Sequence, residues 1–144
     1  MIRTAKAHWA GDGKSGEGTL TTQSGVLSSQ PYSFKLRFEN ADGQAGTNPE
    51  ELIAAAHSGC FSMALAFALA NAGFTATAID TEASVDLQPG EGGFSITAIK
   101  LKLTAAIPGI SKDQFDEIAA GAKAGCPVSK ALSAVPISLE AVLA

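Results

Sequence analysis

The sequence predicts an α+β protein. Two observations carry that prediction. Short Thr-rich or alternating segments are separated by Gly- and Pro-rich turns, and one stretch from Leu52 to Ala72, without Asp, Glu, Lys or Arg, is far too long for a strand. Read in order, the segments run strands, helix, strands, helices, strand. At 144 residues and 46% hydrophobic content the chain is expected to form a single domain, residues 1–144, with a sizeable core.

Residues 2–10 and 17–23 suit a pair of antiparallel strands joined by the polar turn Gly11-Asp12-Gly13-Lys14-Ser15-Gly16. In Tyr32-Ser33-Phe34-Lys35-Leu36-Arg37-Phe38 apolar and polar side chains alternate, which predicts a strand with Arg37 on its polar face. Residues 76–88 and 94–107 form a further strand pair across Pro89-Gly90-Glu91-Gly92-Gly93. Within the second of these the apolar parity switches between Ile96 and Ile99, so a β-bulge or bend is expected near Thr97–Ala98, although a simple change of buried face would give the same pattern. A last strand fits 137–143.

The long helix has a marked start, with Asn48 as cap, Pro49 at the first helical position and Glu51 placed for a reciprocal capping bond. Its end is expected at Asn71-Ala72-Gly73, where glycine can close it in the left-handed conformation. Being apolar on nearly every face, this helix must be buried on all sides. It is long enough to span a membrane, but His57, Ser58, Gly59, Ser62 and many alanines make a poor lipid-facing surface, and no basic cluster flanks it. The small residues instead favour close helix–helix approach in a homodimer. A second helix opens at the capping pair Ser111/Gln114 and runs to about Ala124, and Cys126 then caps a short helix that begins at Pro127.

A net charge of -4 without any Lys/Arg run gives no footprint for nucleic acid or an anionic membrane. The start Met1-Ile2-Arg3-Thr4-Ala5-Lys6 lacks an apolar leader, so a cytoplasmic location is the expectation, and there Cys60 and Cys126 are free or redox-cycling rather than a permanent disulfide. A zinc site using His57, Cys60 and Cys126 lacks a convincing fourth ligand. Cys126, at a helix start, has a local reason for a lowered pKa. Cys60, about three turns into its helix, has none, and a cation such as Arg37 would have to come from elsewhere. His57, one turn before Cys60, is either a packed, hydrogen-bonded histidine or a group that tunes the thiol.

The segments Asn48-Pro49-Glu50-Glu51-Leu52-Ile53-Ala54-Ala55-Ala56-His57-Ser58-Gly59-Cys60-Phe61 and Lys123-Ala124-Gly125-Cys126-Pro127-Val128-Ser129 resemble the two cysteine motifs of the OsmC/Ohr family. With Ala7-His8-Trp9 and Ser24-Gly25-Val26-Leu27 the likeness extends over essentially the whole chain and points to the OsmC branch. The resemblance implies an OsmC-like fold: antiparallel sheet segments around a long buried central helix, in an intertwined homodimer. It implies a cysteine-based peroxidase that reduces organic hydroperoxides, and hydrogen peroxide less well, without metal, flavin or other cofactor. Cys60 matches the peroxide-attacking cysteine, Cys126 the resolving cysteine, Glu50 the active-site glutamate and Arg37 the arginine of the OsmC branch.

On that basis the Cys60 thiolate attacks the peroxide, becomes a sulfenic acid and condenses with Cys126 to a disulfide that an external dithiol reduces. Trp9 and the phenylalanines would supply core or the wall of an apolar entrance. The rival expectation is a non-catalytic dimeric binding protein for a small hydrophobic ligand, with redox-sensing cysteines. A general thiol–disulfide oxidoreductase is a third, disfavoured by the lack of a Cys-x-x-Cys motif.

Overall fold

Strands β1 (Ala5–Ala10), β2 (Glu17–Thr22) and β3 (Gln30–Ser33) form an antiparallel meander in that order in the computed structural model, which describes residues Met1–Ala144. The first turn is closed by Asp12, whose carboxylate accepts from the Lys14 and Ser15 N–H groups at 2.8 Å each. Hydrogen bonds from Ser15, side chain then backbone, hold the Asp12 carboxyl at about 2. Gly18 is the central member of the cross-strand row Trp9–Gly18–Tyr32, and its missing side chain lets the two rings meet with centroids 5.2 Å apart. A Cβ on Gly18 would stand 2.5 Å from Tyr32 Cε1 and 2.8 Å from Trp9 Cε3.

The alternation at 32–38 does not produce a strand. β3 stops at Ser33, whose hydroxyl accepts from the Leu36 N–H at 3.2 Å and caps a short helix, α1 (Phe34–Phe38). Arg37 is therefore helical. The sequence pattern misled because Phe34 and Phe38 satisfy two periods at once: they share parity in a strand, yet at a spacing of four they also stack on one helix face, with ring centroids 4.8 Å apart.

Helix α2 (Pro49–Asn71) begins as expected, with the Asn48 side chain accepting from the Glu51 N–H at 2.8 Å. The Glu51 carboxylate departs from the expected reciprocal bond and takes a 2.6 Å hydrogen bond from the Thr47 hydroxyl instead. The helix closes at Gly73, at φ +85°, with Phe74 N–H to Leu69 O at 2.9 Å and Gly73 N–H to Ala70 O at 3.0 Å, the double-bonded glycine ending.

By its contacts the chain divides into two compact units, Met1–Leu52 and Ile53–Ala144. In the second, strands β4 (Ala78–Gly90), β5 (Gly93–Ala106) and β6 (Ile137–Leu143) form a sheet in that order, β4/β5 antiparallel and β5/β6 parallel. The predicted bulge is present. Asp86 pairs with Ala98 and Leu87 with Ile96, which leaves Thr97 as the extra residue, its hydroxyl donating to the Asp86 carboxylate at 2.9 Å. Beyond it, alternate residues Ile99, Leu101, Leu103 and Ala105 are buried.

Against Leu101, Leu103 and Ala105 pack Phe61, Leu65 and Leu69 of α2 and Phe115, Ala119 and Ala122 of helix α3 (Lys112–Gly125). The spacing of four along α2 stacks its three anchors on one stripe, each contributing about 1.5–3 kcal/mol of burial. Ser111 and Gln114 form the expected reciprocal cap of α3, and Cys126 both ends α3 and caps helix α4 (Pro127–Ala131). Within a single chain α2 is buried on one face only, not on all sides: Met63 and Phe67 stay 63% and 66% exposed. By length and composition α2 is also the one helix able to cross a membrane, but its Phe61–Leu65–Leu69 stripe is core.

Candidate active site

The expected site residues fall into two groups, Arg37 and Glu50 in one unit and Cys60 and Cys126 in the other. In the unit Ile53–Ala144, Cys60 projects from α2 and Cys126 from the α3–α4 junction. Their sulfurs are 3.1 Å apart and share a hydrogen bond, and both cysteines are free. That spacing exceeds the roughly 2.05 Å of a disulfide but needs little movement to reach it. Local helix chemistry fixes the Cys126 side: Gly125 ends α3, and Pro127, which lacks an N–H, starts α4 at once, so the thiol is held at the turn.

The two thiols differ in access and in acidity. Cys126 is 0% exposed, whereas Cys60 is only partly buried. Burial, then the hydrogen bond and charge of Cys126, push the Cys60 thiol up, against a Val128 N–H that favours its thiolate. Burial also opposes ionisation of Cys126. There it is outweighed by the Ser129 N–H, the Cys60 thiol, the Ser129 hydroxyl and the Val128 N–H, which together hold Cys126 below the ordinary thiol value. Cys126 forms no formal capping hydrogen bond, so these N–H groups act as oriented dipoles.

His57 is fully buried, and its Nε2 lies 2.7 Å from Ser129 Oγ. Burial lowers its pKa below 6.5, and its Nδ1 has no partner. The contact places His57 against α4, on the Cys126 side of the pair. Sequence reasoning gave Ser129 no role. A usable signal was present in Cys126-x-x-Ser129, because a cap residue and the residue three later share a face of the first turn.

In the unit Met1–Leu52, Arg37 and Glu50 form a bidentate pair, Nη2 to Oε1 at 2.6 Å and Nε to Oε2 at 3.2 Å. Their side chains are 35% and 13% exposed, and the Arg37 guanidinium carbon sits 4.9 Å from the Phe38 ring centre. Trp9, Tyr32, Phe34, Arg37, Phe38 and Pro49 line a small pocket of about 110 Å³. Of the aromatic residues expected as core or pocket wall, Trp9, Phe34 and Phe38 line this pocket with Arg37, whereas Phe61 and Phe115 are core.

A family model described as OsmC-like protein matches residues 41–140, which include Glu50, Cys60 and Cys126. The chain is 57% identical over 132 residues to Peroxiredoxin OsmC of Escherichia coli (strain K12), covering 92% of this chain and 90% of that protein. Among solved structures, the organic hydroperoxide resistance protein OhrB of Bacillus subtilis superposes with TM-score 0.70 at 30% identity, covering 96% and 97% of the two chains. An organic hydroperoxide resistance protein OsmC from Legionella pneumophila gives 0.75 at 25% identity, covering 99% and 98%. With a motif-bearing match over most of its length and an α+β fold shared with both solved structures, this chain belongs to the OsmC-like protein family.

Proposed function

We propose that this protein is a cytoplasmic, cysteine-based peroxidase that reduces organic hydroperoxides to alcohols, and hydrogen peroxide less well. The observation that carries the reading is the sulfur pair at 3.1 Å with unequal access, Cys60 partly open and Cys126 sealed. Cys60 attacks the peroxide oxygen as thiolate, the O–O bond breaks, an alcohol leaves and Cys60 becomes a sulfenic acid. Cys126 then displaces the hydroxyl from the Cys60 sulfur, and an external dithiol reduces the disulfide. The low pKa of Cys126 suits this role, because the more acidic thiol leaves more readily when the disulfide is opened. The peroxidase and hydroperoxide-resistance names of the relatives support the substrate class.

Arg37 supplies the cation that Cys60 lacks, and Glu50 fixes the guanidinium through both oxygens; these roles follow the family resemblance. Glu50 and Cys60 are ten residues apart on α2, about 15 Å along its axis, so the pair serves Cys60 of a second chain in a homodimer. The exposed Met63 and Phe67, and β1, exposed along its whole length, support that assembly.

The test is peroxide consumption with a small dithiol, comparing cumene hydroperoxide with hydrogen peroxide. Faster turnover of cumene hydroperoxide supports the proposal. Turnover of neither, with binding of a small apolar ligand, would establish the non-catalytic binding protein instead.

A further inference from the structure

The buried histidine is left unused by the chemistry above. His57 and Ser129 come from different helices, are 0% and 7% exposed, and meet at 2.7 Å. Ser129 stands one turn into α4 from Cys126, on the same face. The imidazole and hydroxyl are hydrogen-bonded, the hydroxyl favours the Cys126 thiolate one turn away, and these three buried groups form a row beside Cys60, whose sulfur is 3.1 Å from that of Cys126.

The free Nδ1 matters. In most buried histidines a bond at one ring nitrogen dictates whether the other donates or accepts. Here Nδ1 has no partner, so Nε2 can accept from the Ser129 hydroxyl or donate to it without breaking a competing bond. Burial holds the His57 pKa below 6.5, so at neutral pH the ring is neutral and carries a free lone pair.

We propose that His57, acting through Ser129, is the positioning and proton-relay residue for Cys126 during disulfide formation. The inference rests on the peroxidase reading with Cys60 attacking and Cys126 resolving. As Cys126 attacks, its proton passes to Ser129 Oγ while the Ser129 proton moves to His57 Nε2. The S–S bond forms, the Cys60 S–O bond breaks, and the departing hydroxide combines with the proton that His57 gives up again, so that one water leaves per disulfide formed. Two electrons pass from the Cys126 sulfur to the sulfenic sulfur, which balances the step. Ser129 borders an open groove of about 360 Å³ that also includes Lys123 and Lys130, so the proton taken up by His57 has an outlet to water.

The groups facing this row are few. From α2 they are His57 and Cys60 alone, since Leu52–Asn71 carries no charged side chain; from α3 and α4 they are Lys123 and Lys130. A lysine ammonium has donors only, as in the 3.1 Å bond from Lys123 Nζ to the Ile137 carbonyl, which leaves His57 as the proton acceptor of the set.

The experiment measures by intact mass how oxidised Cys60 partitions between disulfide and sulfinic acid at graded cumene hydroperoxide, from pH 6 to 9.5. Ser129→Ala and His57→Gln are expected to shift the partition about tenfold or more towards sulfinic acid at pH 6.5 and to approach wild type at pH 9.5, where Cys126 ionises unaided. Ser129→Thr, which keeps the hydroxyl, should retain the wild-type partition. A wild-type partition in folded Ser129→Ala and His57→Gln overturns the proposal, and so does a loss that does not vary with pH.

A second arm needs no peroxide. In the Cys60→Ser background, thiolate absorbance should show the Cys126 midpoint about one pH unit higher with Ser129→Ala than without it, and an equal midpoint overturns the relay. If wild type forms no oxidised Cys60, the peroxidase reading fails while this titration still judges the link. Should the Ser129→Ala protein not fold, nitrogen NMR of the wild-type histidines replaces it: a His57 tautomer that is the same in dithiol and disulfide forms overturns the proposal.

Discussion

Cys126 lies 3.1 Å from Cys60 yet is wholly shielded from solvent, while Cys60 is not. Solvent therefore reaches Cys60 and not Cys126. Cys60→Ser should abolish peroxide consumption. Cys126→Ser should react once and accumulate oxidised Cys60, which intact mass after one equivalent of hydroperoxide will show. Catalytic consumption by Cys60→Ser would refute the assignment.

Arg37→Ala is expected to slow the peroxide step about tenfold to a hundredfold, the equivalent of one charge-assisted hydrogen bond. It should also raise the Cys60 pKa, since within its own unit that thiol is pushed up by burial and by Cys126. Folding stability should fall by no more than about 1 kcal/mol, because the Arg37 side chain is 35% exposed. Thiol titration and denaturant melts separate the two effects; an unchanged Cys60 pKa would require another cation, with Lys35 and Arg3 next in line.

Mixing Cys60→Ser with a strongly impaired Glu50→Ala protein, under conditions of subunit exchange, should restore part of the activity. One site of each heterodimer then holds Cys60 from one chain and Glu50 from the other. If exchange is verified and activity never exceeds the weighted sum of the parents, Glu50 acts in its own chain or only at the start of α2.

His57 gives stability a pH dependence of known sign. Its folded pKa is depressed below 6.5, so the unfolded chain binds the additional proton and stability falls as pH drops through and below that value. His57→Gln removes this term. Between pH 7 and pH 5 the wild type should lose more stability than the variant in denaturant melts, and parallel losses would show that His57 is not buried neutral.

Much of the fold is legible from local rules because its signals are covalent or periodic. Asn48-Pro49 and Ser111/Gln114 mark helix starts through backbone N–H groups that only nearby side chains can satisfy, and Gly73 marks an end through its positive φ. The parity switch between Ile96 and Ile99 fell where the bulge lies, because an extra residue reverses which alternate side chains face the core; a change of buried face would give the same pattern, and the register shift decided between them. The two cysteine motifs pointed to the family for a similar reason, being long contiguous strings. Tertiary structure decided the rest. Whether Phe34–Phe38 became strand or helix depended on Ser33 capping and on the Phe34–Phe38 ring contact, since the pattern fits both periods. The meeting of His57 with Ser129, 72 residues apart in sequence, came only from α2 and α4 packing on one core. The proximity of the two thiols at 3.1 Å has the same origin: no local propensity encodes a distance between helices, and burial of Phe61, Leu65 and Phe115 sets it.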